Sequence, residues 1–254
     1  MAQPIYSTSV VIDEFKGLNQ TGDGANMSMR YAVEMENVSV HNGSYFPMRE
    51  GELIPQALET PIGTLAYLHR RWGATGVAGT TLLVAISNGR LFTKKLDDDD
   101  AWEQKYPTVI NTGTSEEPEW EEVEDTFTVD DCDWVTYEIS LYPEYDATKT
   151  YLVNQRVLKD GGYYKCNTEI TTAEAWTAAH WTLIGVQSTY DPVDILLFSN
   201  SKDGMFCLYG DDQSIVPVST PKKFGVLARY NERIWGAGIE GDPDMLVYSA
   251  PYDP

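Results

Sequence analysis

Through most of the chain, apolar residues either alternate with polar ones or gather in short blocks between Gly, Asn and Asp. That spacing predicts strands and turns rather than helices. Between 64 and 96 three such stretches follow one another: TLAYLHRRWG, TTLLVAISN and GRLFTKKL. A related cadence returns at 194–210 in DILLFSNSKDGMFCLYG, and continues as GVLARYNERIWGAG and MLVYSAP. LLVAISN-GRLF and ILLFSNSKDGMF share the order apolar run, Asn/Gly turn, apolar run, and both read as adjacent strands of one blade. Repeated hairpins of this kind predict a β-propeller or a large sandwich.

Other elements fall around this pattern. SVHNGSYFPMREG (39–51) places Asn42-Gly43 between short alternating arms, and RVLKDGGYYKC (156–166) does the same around Asp160-Gly161-Gly162. In NMSMRYAVEMENV (26–38), Met27, Tyr31, Met35 and Val38 recur at helical spacing, which predicts one short helix. In WVTYEISLY, Tyr137, Ile139 and Leu141 alternate on one face of a strand. The chain therefore divides into four sections. Residues 1–50 are an arm, helix and hairpin, and 51–142 are the first part of a propeller-like domain. Residues 143–185 are an inserted aromatic unit, and 186–254 are the second part of the propeller-like domain.

Charge changes the picture in one section. Of a net −21, about 15 charges lie in 97–138, where sixteen acids meet a single base, Lys105. Phosphate binding depends on clustered Lys and Arg, so this balance argues against gripping nucleic acid or an anionic membrane. The centre of the stretch, NTGTSEEPEWEEVEDTF, reads as a loop or exposed edge. Cys132, Cys166 and Cys207 are far apart and odd in number, which fits reduced thiols and assembly in a cytoplasm rather than a disulfide framework. The beginning, MAQPIYSTSVVIDEF, lacks the pattern of a secretory signal, and no stretch approaches the ~20 apolar residues of a membrane span.

Candidate chemistry is sparse. His41, His69 and His180 have no metal-ligand partner at helical or strand spacing, and no nucleophile elbow accompanies them. Cys132, in DDCDW, is ringed by carboxylates that suppress a thiolate. LDDDDAWEQ has neither the alternating acids nor the Gly of a calcium loop, and the glutamates of 116–124 lack the aromatic cleft of a glycosidase. Gly22-Asp23-Gly24 is a turn rather than a phosphate cradle. The sequence thus points to no catalytic residue, no cofactor and no metal. The remaining candidates are Tyr164 and Trp176, whose rings suit the C–H faces of a pyranose; the reading that weighs more is that both belong to the small module's core or its contact with the propeller-like domain.

Two resemblances add to this reading. The 143–185 unit resembles the small chitin-binding-type carbohydrate modules of families 5 and 12. The match runs through Tyr145-Asp146, Tyr151, Val157, Gly161, Tyr163-Tyr164, Trp181 and Gly185. It implies a three-stranded core of a few aromatics, with others free to stack on sugars. Here the stretch after the paired tyrosines reads Lys165-Cys166-Asn167-Thr168, with Trp176 beyond it. The rest of the chain resembles phage tail-nozzle or stabilisation-type proteins that carry a β-propeller. That likeness rests on Phe15-Lys16-Gly17-Leu18-Asn19, Glu36-Asn37-Val38, Arg49-Glu50-Gly51, Asn231-Glu232-Arg233 and Asp242-Pro243.

The combined expectation is a mainly β, propeller-like, non-enzymatic component of a phage tail or neck. It would be repeated as a ring homo-oligomer and would contact other tail or connector proteins. Its acidic stretch would line a DNA channel without binding DNA specifically, and it would make no membrane contact. Residues outside the arm and insert number about 160, which at roughly 40–45 per blade supplies three or four blades. The alternative is a host-recognition protein that binds cell-surface polysaccharide through Tyr164 and Trp176.

Overall fold

The computed structural model describes residues 58, 60–72, 76–96, 101–107, 126–220 and 222–250 with their side chains. For 17–18, 31–32, 38–41, 44–47, 109–111 and 120–122 it describes the strand backbone. The chain divides into two compact units, Met1–Ile54 and Pro55–Pro254.

In the first unit, β1 (Gly17–Leu18) pairs in parallel with β2 (Tyr31–Ala32), and β3 (Val38–His41) pairs antiparallel with β4 (Ser44–Pro47). The β3–β4 register closes at His41↔Ser44; the Asn42-Gly43 turn expected from the sequence lies outside the described residues. The helix expected over 26–38 is not found where its residues are described. Tyr31–Ala32 form a strand instead, and Val38 opens another. Their apolar spacing serves pairing rather than a helical face; the other residues of 26–38 lie outside the described ones.

The second unit is organised around three antiparallel sheets. Sheet I runs β5 (Thr64–Arg70), β6 (Thr80–Ser87), β7 (Arg90–Lys95) and β8 (Glu103–Tyr106), in chain order. β9 (Val109–Asn111) and β10 (Trp120–Glu122) form a two-stranded ladder within the acidic stretch, so its flanks are paired rather than a plain loop. Sheet II begins with β11 (Asp133–Ile139). The chain then leaves to build β12 (Arg156–Lys159), β13 (Gly162–Cys166) and β14 (Trp181–Val186), and returns for β15 (Val193–Asn200), β16 (Gly204–Tyr209) and β17 (Ile215–Val218). Sheet III is β18 (Val226–Tyr230), β19 (Arg233–Ala237) and β20 (Val247–Tyr248).

Hydrophobic patterning decides how these sheets stack. Strand β5 alternates, burying Thr64, Ala66, Leu68 and Arg70 and exposing the residues between them. One face is covered, as a period of two requires. Every residue of β15 and β16 is buried, so sheet II is covered on both faces. Leu196, Phe198, Phe206 and Leu208 pack with Leu68, Leu82, Val84, Ile86 and Leu91 of sheet I. On the other side Ile195, Leu197, Met205 and Cys207 pack with Phe224, Leu227 and Ile234. Apolar area buried at these two interfaces stabilises the stack by about 25 cal/mol per Å².

Polar groups tie the same sheets together at their ends. Asp194 is 2% exposed. It accepts from the backbone and guanidinium of Arg71, whose Nη2 also reaches Glu138 at 2.9 Å. The backbone N–H of Leu227 donates to Asp133 at 2.8 Å, joining sheets III and II. Asp130 caps the Asn88-Gly89 turn of β6–β7, accepting both N–H groups at 2.7 and 2.6 Å. Both turn residues have positive φ, and a side chain at Gly89 would strike the Phe127 carbonyl at 2.8 Å, so only glycine fits.

Several expectations need correction. LLVAISN-GRLF and ILLFSNSKDGMF are each a hairpin, but they belong to sheets I and II and not to one blade. Leu141 lies past the end of β11 and is 66% exposed, so it does not share the buried face of Tyr137. Asp130 and Asp133, at the end of the acidic stretch, are structural acceptors. Among the described residues the sheets form neither a closed barrel nor a closed propeller, and the fold that is shown is mainly β, built of several antiparallel sheets.

Candidate functional site

The insert between β11 and β15 is the three-stranded antiparallel sheet β12-β13-β14. Its hairpin turns on Asp160-Gly161, both at positive φ, with Lys159 paired to Gly162; Gly162 therefore belongs to the strand rather than to the turn. Alternation along β13 then sends the two adjacent tyrosines to opposite faces. Tyr163 is fully buried in the core shared with sheets II and III, and its hydroxyl donates to the Ser140 carbonyl at 2.9 Å. Tyr164 turns to the other face, against the module's own small core of Tyr151, Val157, Cys166, Ile170 and Trp181.

Both candidate sugar-stacking residues sit at that second core. Tyr164 and Trp176 are half-buried and meet edge to face, with centroids 4.9 Å apart. Trp176 stacks on Trp181 at 5.1 Å and 14°, and Tyr145 meets it edge-on at 5.0 Å. Tyr145 in turn stacks on Tyr151 at 5.4 Å. Contacts of this kind add about 0.5–1.5 kcal/mol per pair beyond burial. The two rings are thus brought together and built into the module's core, with part of each open to solvent. The Nε1–H of Trp181 is buried, with no acceptor among the described residues.

The module is locked to sheet II by a group that the sequence did not single out. Arg156, at the start of β12, has a fully buried side chain. Its guanidinium donates to Asp211 through both terminal nitrogens, at 2.9 and 2.8 Å, and to Asp212 at 3.0 Å. It also donates to the Tyr142 hydroxyl at 3.1 Å, and it lies 3.7 Å from the centroid of Tyr209. Lys165 completes the network at 2.7 Å from Asp212. Burial alone would lower the Arg156 pKa, but Asp211, Tyr142 and Asp212 outweigh it and raise it. Burial likewise pushes Asp212 upward, yet Arg156, Lys165 and Ser214 hold it below the ordinary carboxylate value. Gly185 has a related role: a Cβ there would lie 2.2 Å from the Tyr190 ring, which packs edge-on against Tyr163.

A concavity lies between sheets II and III. It is an apolar cleft of about 360 Å³ lined by Met205, Val218, Phe224, Ile234 and Val247, with Ser219, Thr220 and Ser249 adding hydroxyls. None of the sequence candidates reaches it. Its walls come from strands separated in sequence, and only the stacking of the sheets brings them together.

The remaining candidates fall apart in space or in chemistry. His41 ends β3, His69 lies 3.1 Å from the Thr81 hydroxyl, and His180 lies 2.7 Å from Glu174. Cys132, Cys166 and Cys207 are all buried and free. Burial, aided by Asp203, Asp131 and Asp130 against a hydrogen bond from Asn200, pushes the Cys132 thiol up to about 11. Such a thiol stays protonated and unreactive at neutral pH. Asp97–Asp100, the glutamates of 116–124 as side chains, and Gly22-Asp23-Gly24 lie outside the described residues. Among the described residues no group of three His, Cys, Asp or Glu could hold a metal ion, and no helix is long and apolar enough to cross a membrane.

No protein-family model, no curated protein and no solved structure matches this chain.

Proposed function

We propose that this chain is a non-enzymatic structural component of a bacteriophage tail or neck, with a propeller-like body carrying a fixed aromatic module. The observation that supports it most is the packing of sheet II. Three antiparallel sheets, successive in sequence, lie face to face with the middle one buried on both sides, the way blades of a propeller follow one another. The module is bolted to that stack by Arg156 rather than tethered by a loop, which suits a part that must hold its shape under mechanical load. In this reading the acidic 97–138 stretch faces the DNA channel, where like charge keeps the passing duplex from adhering. Mass spectrometry and immunogold labelling of purified particles, propagated from the genome that encodes this chain, test the proposal. Label at the tail or neck is the expected result, and absence of the chain from DNA-filled particles would sink it.

A second reading is glycan recognition by the module, favoured by the contiguous, half-open rings of Tyr164 and Trp176. Retention on chitin or bacterial cell-wall polysaccharide, lost in Trp176→Ala with folding unchanged, is its test. Failure of the wild-type chain to bind any of these polymers counts against it.

A further inference from the structure

Sheets I and II have four strands each, and sheet III has three. Where sheets I and II pack, the contact runs out to their fourth strands: Tyr106 of β8 and Ile215 of β17 both pack against that core. On its other face sheet II is met by the three strands of sheet III and, toward the module, by Leu158 and Tyr163. The apolar cleft opens beside the end of sheet III. Val218, Ser219 and Thr220 at the end of β17 form one wall, and 247–250 in and after β20 form another. The cleft thus continues the interface between sheets II and III, and a fourth strand beside β20 would cover it.

The edge of β20 is ready for such a strand. The N–H of Ser249 bonds the Ile234 carbonyl, and Trp235 is paired with Tyr248. In an antiparallel ladder that pattern makes Trp235↔Tyr248 a non-hydrogen-bonded pair, so the N–H and C=O of Tyr248 point away from β19. Met245 and Leu246, just before β20, are 40% and 58% exposed, which leaves an apolar run along this edge. Sheet II also ends in an edge strand, β17, but Pro217 sits within it and has no N–H to donate. An unpaired apolar edge without such a block is a template for an added strand.

The surroundings set the chemistry of the occupant. No charged residue lines the cleft, so the side chains entering it are uncharged and apolar, one in every two along a strand. Asp244, exposed at the start of the edge, has no ion-pair partner among the described residues. A base at the end of the added strand would face it, as opposite charges do across paired strands. A second β20 is a poor match, because 240–254 contains four acids and no base.

We infer that an extended segment of another polypeptide, apolar at alternate positions and basic at the end that meets Asp244, adds to β20 as a fourth strand of sheet III. Main-chain bonds to Tyr248 hold it, and the cleft selects its side chains. The inference goes beyond the tail or neck reading and stands or falls without it.

The probe is a displayed library of random linear peptides selected on the full chain. Enriched peptides are expected to alternate apolar and polar residues, with Lys or Arg near one end. Made synthetically, they should slow hydrogen exchange at the Tyr248 amide. Tyr248→Pro removes the outward N–H and leaves the ladder to β19 in place. Affinity for the peptides should fall about tenfold, the worth of one hydrogen bond. Val218→Trp fills the cleft and should weaken binding with the edge untouched; circular dichroism and thermal melting verify that both variants stay folded. A library that yields no binder overturns the inference. So do peptides that bind both folded variants as tightly as the wild type. A wild-type chain that dimerises in sedimentation velocity, beside a monomeric Tyr248→Pro, would give the edge to a second copy and overturn the choice of partner.

Discussion

Sheet II and the module sheet are both small antiparallel sheets whose two faces are both used, yet different chemistry holds them. Sheet II is aliphatic and phenylalanine-rich, and it is gripped between sheets I and III by dispersed apolar contact. The module buries one face in a cluster of Tyr and Trp rings and fixes the other to the body through Tyr163 and a buried cation. Burying apolar area is additive and tolerant of local change. A buried ion pair is neither, because each charge depends on its partner for compensation. Body and module therefore have different weak points.

The largest expected effect comes from the latch. Arg156→Met leaves the largely buried Asp211 without its counter-ion and Asp212 with Lys165 alone, and removing one partner of a buried pair costs about 3–5 kcal/mol. The change should release the module first, with limited proteolysis cutting at 140–192 while the three-sheet body survives. Cleavage no faster than in the wild type would refute the division between body and module.

Next in size is the body itself. Leu196→Ala empties the interface between sheets I and II and should lower global stability by about 2–5 kcal/mol. Its denaturation should be a single transition in which body and module are lost together. A module-only transition in this variant would show that the two regions are less hierarchical than their packing implies.

A second buried arginine sharpens the contrast and reverses the sign. Arg70 is fully buried at the end of β5, and among the described residues its Nε and Nη2 have no acceptor. Nη1 makes only a long bond, 3.4 Å, to the Gly210 carbonyl, and burial lowers its pKa. Replacing an uncompensated buried charge with an apolar side chain of similar length removes a desolvation cost, so Arg70→Met should stabilise by about 1 kcal/mol or more. Thermal melting reads this directly. A melting point below that of the wild type would mean that Arg70 is compensated after all.

These two arginines also show what was legible in the sequence. Strand periods, the turn at Asn88-Gly89, the turn at Asp160-Gly161 (read one residue too long, through Gly162) and the inserted unit follow from local pattern, because turn chemistry and alternation act over a few residues. Arg156 and Asp211 are separated by 55 positions, and nothing in RVLK or DDQS distinguishes a latch from an ordinary surface charge. Likewise, Met27, Tyr31, Met35 and Val38 recur at helical spacing, yet Tyr31–Ala32 pair as a strand, and a two-residue strand leaves no period to read. Whether successive hairpins share a sheet or stack as separate sheets is set by long-range packing, which the chain encodes only in bulk.

The smallest expected effect is the dependence of the latch on pH. Asp212 is held below its ordinary value by Arg156 and Lys165, while Arg156 is raised and stays charged throughout. A carboxylate whose folded pKa is depressed adds stability that is fully present above its unfolded value, about 3.9, and is lost as pH falls through the folded value. The stability difference between the wild type and Asp212→Asn should therefore be constant from pH 7 down to about 5, then shrink as the medium becomes more acidic. Trp176 and Trp181 lie within the module, so changes in tryptophan emission can follow its release. The body has its own acid-sensitive contact, Asp203 with Thr128 and Asn200, and burial there is likewise outweighed by hydrogen bonds. Comparing the two variants Asp212→Asn and Asp203→Asn separates the regions. The first should flatten the module's acid response and leave the body's, and the second should do the reverse. If both variants flattened the same transition, body and module would be a single acid-sensitive unit, and the distinction between a gripped sheet and a latched one would fail.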